Sequence, residues 1–82
     1  MIRLKSADEQ VNDQQKELCA VSVMRSMLED YSALNHIDFE QALLMFGQSK
    51  TYQALYDFST GMWREGPDYL RSWFEDELSR AR

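Results

Sequence analysis

The chain has 82 residues, a net charge of −5 and a single cysteine, with 44% apolar and 12% aromatic residues. The apolar content excludes wholesale disorder, and the length fits one domain, residues 1–82, with a small core. The negative charge disfavours binding to nucleic acid or to anionic membranes, since both are themselves negative. One cysteine excludes an intrachain disulfide and no run is long enough to span a membrane, so a cytoplasmic protein is expected.

A long first helix is predicted from Asp8 to about Leu34, after a loose tail over residues 1–7. The segment contains no Gly or Pro, and its apolar residues recur at steps of three and four, as one face of a helix requires. Such a helix is longer than so small a domain is wide, so one end is expected to project or break. A homodimer through this helix is an assembly that the chain would allow.

A second, shorter helix is predicted after a connector at residues 35–38. Asp38 and Gln41 have the spacing of a capping box, in which each residue bonds the backbone of the other. Apolar residues then follow at helical spacing, and Gly47 is expected to end the helix.

Two further helices complete the predicted fold. Ser49 is expected to cap a third helix that continues to Gly66, although Gly61 weakens it near its end. Pro67 suits the first turn of a last helix, which runs to about Arg80. No strand alternation persists anywhere, so the fold class is all-α: a small four-helix bundle with one long helix and three shorter ones.

The two tryptophans are expected to differ in burial. Trp73 lies mid-helix among apolar residues, so it is predicted to lie in the core with Leu70, Phe74 and Leu78. Trp63 lies at a predicted helix end, where core and binding interface are equally open, and charged residues follow it. The residues predicted to bind a protein are Trp63, Arg64, Glu65, Asp57 and Asp68.

No catalytic, cofactor or metal site is predicted. His36 has no Ser, Cys or acid at a spacing that suggests a catalytic partner, and Cys19 is expected to be a half-buried structural thiol. His36, Asp38 and Glu40 are close in sequence, but Asp38 is needed as a helix cap. The acids Glu75 to Glu77 are consecutive, so they fan around the helix and do not form an acid–base pair.

Protein binding is the function class that remains. An acidic helical domain with exposed aromatic residues can bind a groove on an apolar or basic partner. We therefore expect a non-catalytic module that binds another protein, with no direct contact to nucleic acid or membrane. The alternative is an acidic inhibitor of the phage type, which mimics nucleic acid and blocks a nuclease, as anti-CRISPR proteins do.

The segment from Ile37 to Tyr69 resembles a family of short bacterial proteins that contain a domain of unknown function. The resemblance rests on a capped helix, a second helix of spaced apolar residues, and a glycine followed by an acid, a tyrosine and an aliphatic residue. The matching positions are Asp38, Gln41, Ala42, Met45 and Phe46, then Tyr52, Leu55, Phe58 and Met62, and finally Gly66, Asp68, Tyr69 and Leu70.

This resemblance implies a small helical bundle that serves as the partner of a larger, sometimes toxin-like, protein. An antitoxin-like or regulatory role would follow. The family tends to carry a Tyr-Asp pair and a His-Thr pair in its third helix, where this chain has Ser59-Thr60 and Trp63-Arg64. A site built on those polar pairs would therefore be absent or altered here.

Overall fold

In the computed structural model, which describes residues 12–81, the chain forms four α-helices and two single-turn 3-10 helices. The α-helices are α1 (Asp13–Asn35), α2 (Phe39–Gly47), α3 (Lys50–Tyr56) and α4 (Pro67–Arg80). The 3-10 turns, Phe58–Thr60 and Met62–Arg64, connect α3 to α4. No strand occurs between residues 12 and 81, which confirms the all-α prediction, and no helix in that range is long and apolar enough to cross a membrane. The predicted tail, residues 1–7, lies outside the described residues.

Both ends of α1 are fixed by local hydrogen bonds. The Gln15 backbone N–H donates to Asn12 Oδ1 at 2.8 Å, and the Asn12 N–H donates to Gln15 Oε1 at 3.1 Å, which completes a capping box. Because Asn12 is extended and not helical, α1 begins at Asp13, and the predicted start at Asp8 is wrong. At the other end His36 is left-handed, with φ 55°, and its N–H bonds the Ser32 carbonyl. The predicted end near Leu34 is confirmed.

The boundaries of α2 and the cap of α3 follow the prediction in part. Asp38 occupies the N-cap position of α2, but its side chain makes no capping hydrogen bond, so the predicted capping box is wrong. The helix ends at Gly47, as predicted. The predicted cap of α3 is confirmed, since Ser49 Oγ accepts the Tyr52 N–H at 3.0 Å and donates to the Phe46 carbonyl at 2.6 Å.

The third helix is much shorter than predicted, because side chains compete with the helical hydrogen bonds after Tyr56. Asp57 Oδ1 accepts the Ser59 N–H at 3.2 Å and the Ser59 hydroxyl at 2.6 Å, which holds the backbone in a turn. Gly61 then adopts φ 75°, a left-handed conformation that glycine takes without a steric penalty. The chain consequently leaves the helical path, and Met62–Arg64 packs against α1.

An aromatic cluster holds α1, α2 and α4 together. Phe74 lies at its centre, with ring centroids 5.1 Å from both Phe46 and Tyr31. The Phe46–Phe74 pair meets edge to face at 90°, a favoured geometry for aromatic rings. Leu70 and Phe74 are fully buried, as predicted, and Leu78 packs against the core from a partly buried position. The remaining buried apolar residues are Ala20, Met27, Leu28, Ala42, Leu55, Met62 and Trp63.

The two tryptophans differ in burial, but Trp63, for which core and interface were both open, is the buried one. Trp63 is only 6% exposed, and its indole N–H donates to the Phe58 carbonyl at 3.0 Å. Trp73 is 50% exposed, so its predicted place in the core is wrong. On α4, Leu70 and Phe74 form one stripe with a spacing of four, and Tyr69 and Trp73 form the stripe beside it. Only one of these stripes can face the core, and the smaller side chains occupy it.

Replacement of each tryptophan by alanine should therefore have unequal effects on stability. Trp63→Ala should lower the free energy of unfolding by about 3–5 kcal/mol, because it leaves a cavity where a large buried side chain was. Trp73→Ala should cost about 1 kcal/mol or less, since half of that side chain is already in water. Thermal and urea unfolding followed by circular dichroism would measure both. Equal losses of stability would contradict the assignment of burial.

Candidate functional site

A groove of about 620 Å³ lies between α3 and α4, and its volume is typical of sites that bind a small ligand or the side chains of a partner. Its apolar wall includes Ala54, Met62, Tyr69 and Trp73, and its polar end includes Lys50, Asp76, Glu77 and Arg80. Thr60, in the first 3-10 turn, also lines the groove. Its hydroxyl donates to the Ala54 carbonyl at 2.8 Å.

Tyr69 and Trp73 form an exposed aromatic pair on the wall of this groove. Their ring centroids are 6.3 Å apart and the rings are inclined at 64°, so each limits the rotation of the other. Tyr69 is 44% exposed, which means that both rings offer apolar area to solvent. Large aromatic side chains are enriched at the centres of protein interfaces, where they bury much area at little cost in conformational entropy.

Glu77 fixes the position of α4 relative to α3. Its carboxylate accepts hydrogen bonds from the Lys50 N–H and the Thr51 N–H, both at 2.8 Å, and from the Thr51 hydroxyl at 2.7 Å. The N–H groups of the first turn of α3 have no partner within their own helix, so Glu77 supplies a cap from a distant element. These bonds set the separation of the two helices that form the groove.

The same contacts determine how Glu77 titrates. Partial burial raises the pKa of Glu77, but the hydrogen bonds from the Thr51 side chain and from the Lys50 and Thr51 backbone, together with the charge of Lys50, outweigh it. The net effect is a pKa below the ordinary glutamate value, so the side chain remains ionised at neutral pH.

The charges at the polar end of the groove balance each other. Lys50 and Arg80 are positive, and Asp76 and Glu77 are negative. Arg80 Nε lies 3.0 Å from Asp76 Oδ2, so these two charges form a pair on α4. Although the whole chain carries a charge of −5, the groove itself has no excess of either sign among these residues. A ligand of this groove would therefore be selected by its apolar surface more than by its charge.

Two of the five predicted binding residues, Trp63 and Arg64, lie together away from the groove lining. Trp63 is buried, so it cannot form the exposed rim that its position after a helix suggested. Two cations lie near its ring, since Lys16 Nζ and the Arg64 guanidinium are each 5.7 Å from the ring centroid. A small cleft of about 190 Å³ opens beside them, against the first 3-10 turn.

The other three predicted binding residues are separate, and none of the five lines the groove. Asp57 caps the first 3-10 turn, and Asp68 lies 3.9 Å from Arg71 in an exposed ion pair. Glu65 is exposed after the second 3-10 turn. Whether these residues contact a partner stays a prediction.

The sequence reasoning missed the groove for two different reasons. Trp73 was assigned to the core, so its place beside Tyr69 on an exposed wall was not predicted. Glu77 gave no local signal, because its hydrogen-bond partners at the start of α3 are distant in sequence.

Cys19, expected to be half-buried, is exposed. Within residues 12–81, no group of three or more His, Cys, Asp or Glu side chains is placed to hold a metal ion.

Comparisons of the chain with protein-family models, with curated proteins and with solved structures give no match. The resemblance of Ile37 to Tyr69 to a bacterial family therefore stays a prediction.

Removal of the Glu77 charge should weaken the fold in a pH-dependent way. A carboxylate with a lowered folded-state pKa stabilises the fold above its ordinary pKa of 4.5, and this contribution is lost as the pH falls through the folded-state value. Glu77→Gln should cost about 1 kcal/mol at pH 7, as loss of a helix cap does. The difference from the parent chain should shrink below pH 4.5 in urea unfolding experiments.

Glu75→Gln is the matched control, because it removes the same charge from an exposed residue two positions earlier on α4. Within the described residues Glu75 pairs with Arg71 alone, at 3.8 Å near the surface, and such pairs contribute little to stability. If Glu77→Gln and Glu75→Gln lower the free energy of unfolding equally, the capping role is contradicted. It is also contradicted if the effect of Glu77→Gln does not depend on pH.

Proposed function

We propose that this chain is a non-catalytic protein-binding module whose α3–α4 groove takes an apolar segment of a larger protein. The observation that carries the proposal is the Tyr69–Trp73 pair, which exposes two large aromatic rings beside a groove of about 620 Å³. The core is complete without either ring, since Leu70 and Phe74 fill the buried stripe of α4. Exposure of a tryptophan that the core does not need favours a role in binding.

The groove is already shaped for a ligand before binding. The Glu77 hydrogen bonds hold α3 against α4, and the Thr60 hydroxyl ties the first 3-10 turn to α3. A preformed surface loses little conformational entropy on association, so more of the contact energy appears as affinity. An aromatic anchor of this kind typically contributes about 2 kcal/mol or more to binding.

As a biological role, we propose an antitoxin-like or regulatory partner of a larger protein in the cytoplasm, built on a small four-helix bundle. The family resemblance and the small, acidic, helical character of the chain support this role. Mimicry of nucleic acid receives less support, because part of the acidic surface of α4 is neutralised. Asp68 and Glu75 lie within 4 Å of Arg71, and Asp76 pairs with Arg80.

The parent chain and the Trp73→Ala variant are each used to capture proteins from the cells that produce the parent chain, and the two sets of captured proteins are compared. Mass spectrometry should find a partner that the parent binds and that Trp73→Ala loses, with an affinity at least 30-fold weaker by calorimetry, which corresponds to about 2 kcal/mol. The charge balance of the groove predicts that raising the salt concentration to 0.5 M leaves this binding largely intact.

Two controls separate the groove from general stickiness. Trp73→Phe keeps an aromatic ring and should retain most of the affinity. Leu18→Ala removes another exposed apolar side chain, on α1, and should have no effect. If Trp73→Ala captures the same partner as the parent, the groove is not the binding site. Suppose instead that the captured partner is a nuclease, that high salt abolishes its binding and that Trp73→Ala does not. That result would favour mimicry.

A further inference from the structure

A second group of exposed apolar residues lies where α1 ends and α2 follows. Leu34, in the last turn of α1, is 62% exposed, and Leu44, on α2, is 68% exposed. Phe39 and Leu43, one helical turn apart on α2, are also partly exposed. We call these four residues the acidic apolar face. None of them lines the α3–α4 groove.

The charges around this face have one sign. Residues 26–49 contain no Lys or Arg, and they contain four acids: Glu29, Asp30, Asp38 and Glu40. Glu29 lies 3.8 Å from Arg25, but within residues 12–81 the other three carboxylates form no ion pair and all three are exposed. Asp30 is one helical turn before Leu34 on α1, and Glu40 is one helical turn before Leu44 on α2, so these carboxylates lie beside apolar side chains. Asp38 directly precedes Phe39 at the start of α2.

We infer that the acidic apolar face binds a basic amphipathic helix of a partner protein. The helix would lay its apolar stripe on Leu34, Phe39, Leu43 and Leu44, while its flanking Lys or Arg residues would meet the three carboxylates that form no ion pair within residues 12–81. The length of α2, nine residues or about 14 Å, matches two to three turns of such a helix. This inference concerns a different surface from the groove and does not rest on the proposed function.

Charge argues against two other occupants of this face. A second copy of the chain would bring the same carboxylates together in a symmetric contact and would add its own charge of −5. An anionic lipid surface would be repelled for the same reason. A basic helix is the occupant that gains from both the apolar area and the charge.

The test measures binding of two designed 18-residue peptides by fluorescence anisotropy at physiological ionic strength. Both peptides have the same leucine stripe, flanked by lysine in one and by glutamate in the other. The Leu/Lys peptide should bind the parent chain more tightly than the Leu/Glu peptide, and the difference should persist in a Trp73→Ala background, where any binding of the shared leucine stripe to the groove is weakened. Leu34→Ala and Asp30→Lys should each weaken binding about fivefold or more. Both changes suit the helix, because alanine and lysine are good helix formers.

The controls are on the same helix. Leu18→Ala removes a side chain that is 64% exposed, and Glu17→Lys makes the same charge change about 20 Å away from Asp30. Neither should alter the preference for the Leu/Lys peptide over the Leu/Glu peptide. If Leu18→Ala or Glu17→Lys weakens binding as much as the changes at the face, attraction to the acidic chain is unspecific and the inference fails. It fails equally if the Leu/Lys peptide does not bind, or if Trp73→Ala alone abolishes its binding.

Discussion

The rotation of α4 about its own axis is the constraint on which the rest of the structure depends, and Phe74 sets it. The Phe74 ring lies edge-on to Phe46 of α2 and close to Tyr31 of α1, with centroid distances of 5.1 Å. With Phe74 turned inward, Tyr69 and Trp73 must lie on the adjacent, solvent-facing stripe. The same rotation directs Glu77 at the first turn of α3, where its carboxylate accepts three hydrogen bonds.

The path between α3 and α4 makes this rotation possible, because it supplies the tryptophan that the core requires. The Asp57 turn and the left-handed Gly61 stop the helix early, and Met62 and Trp63 then reach the core beside α1. With that volume filled, Trp73 is not needed inside. The polar contacts of Glu77 and Thr60 and the apolar contacts of the core therefore combine to form the groove, and its exposed aromatic pair is a consequence of the fold.

The sequence predicted the number and class of the helices, because caps and breaks such as Ser49, Gly47 and Pro67 are local signals. The prediction of burial failed on α4, where local patterns do not distinguish between two possible buried stripes. On α4 the stripes Leu70–Phe74 and Tyr69–Trp73 have the same spacing, and only tertiary packing decides between them. The early end of α3 depends on the Asp57 side chain, whose competition with helical bonds was not recognised. The Glu77 cap joins residues distant in sequence, so no motif reveals it.

The burial of the two tryptophans tests the rotation of α4 most directly, and single-tryptophan variants report it without knowledge of any partner. In Trp63→Phe, the remaining Trp73 should emit at a long, solvent-like wavelength and should be quenched strongly by acrylamide. In Trp73→Phe, the remaining Trp63, at 6% exposure, should emit at a shorter wavelength and should be protected from quenching. The opposite pattern would mean that Trp73 faces the core, and both the fold of α4 and the groove would then be wrong.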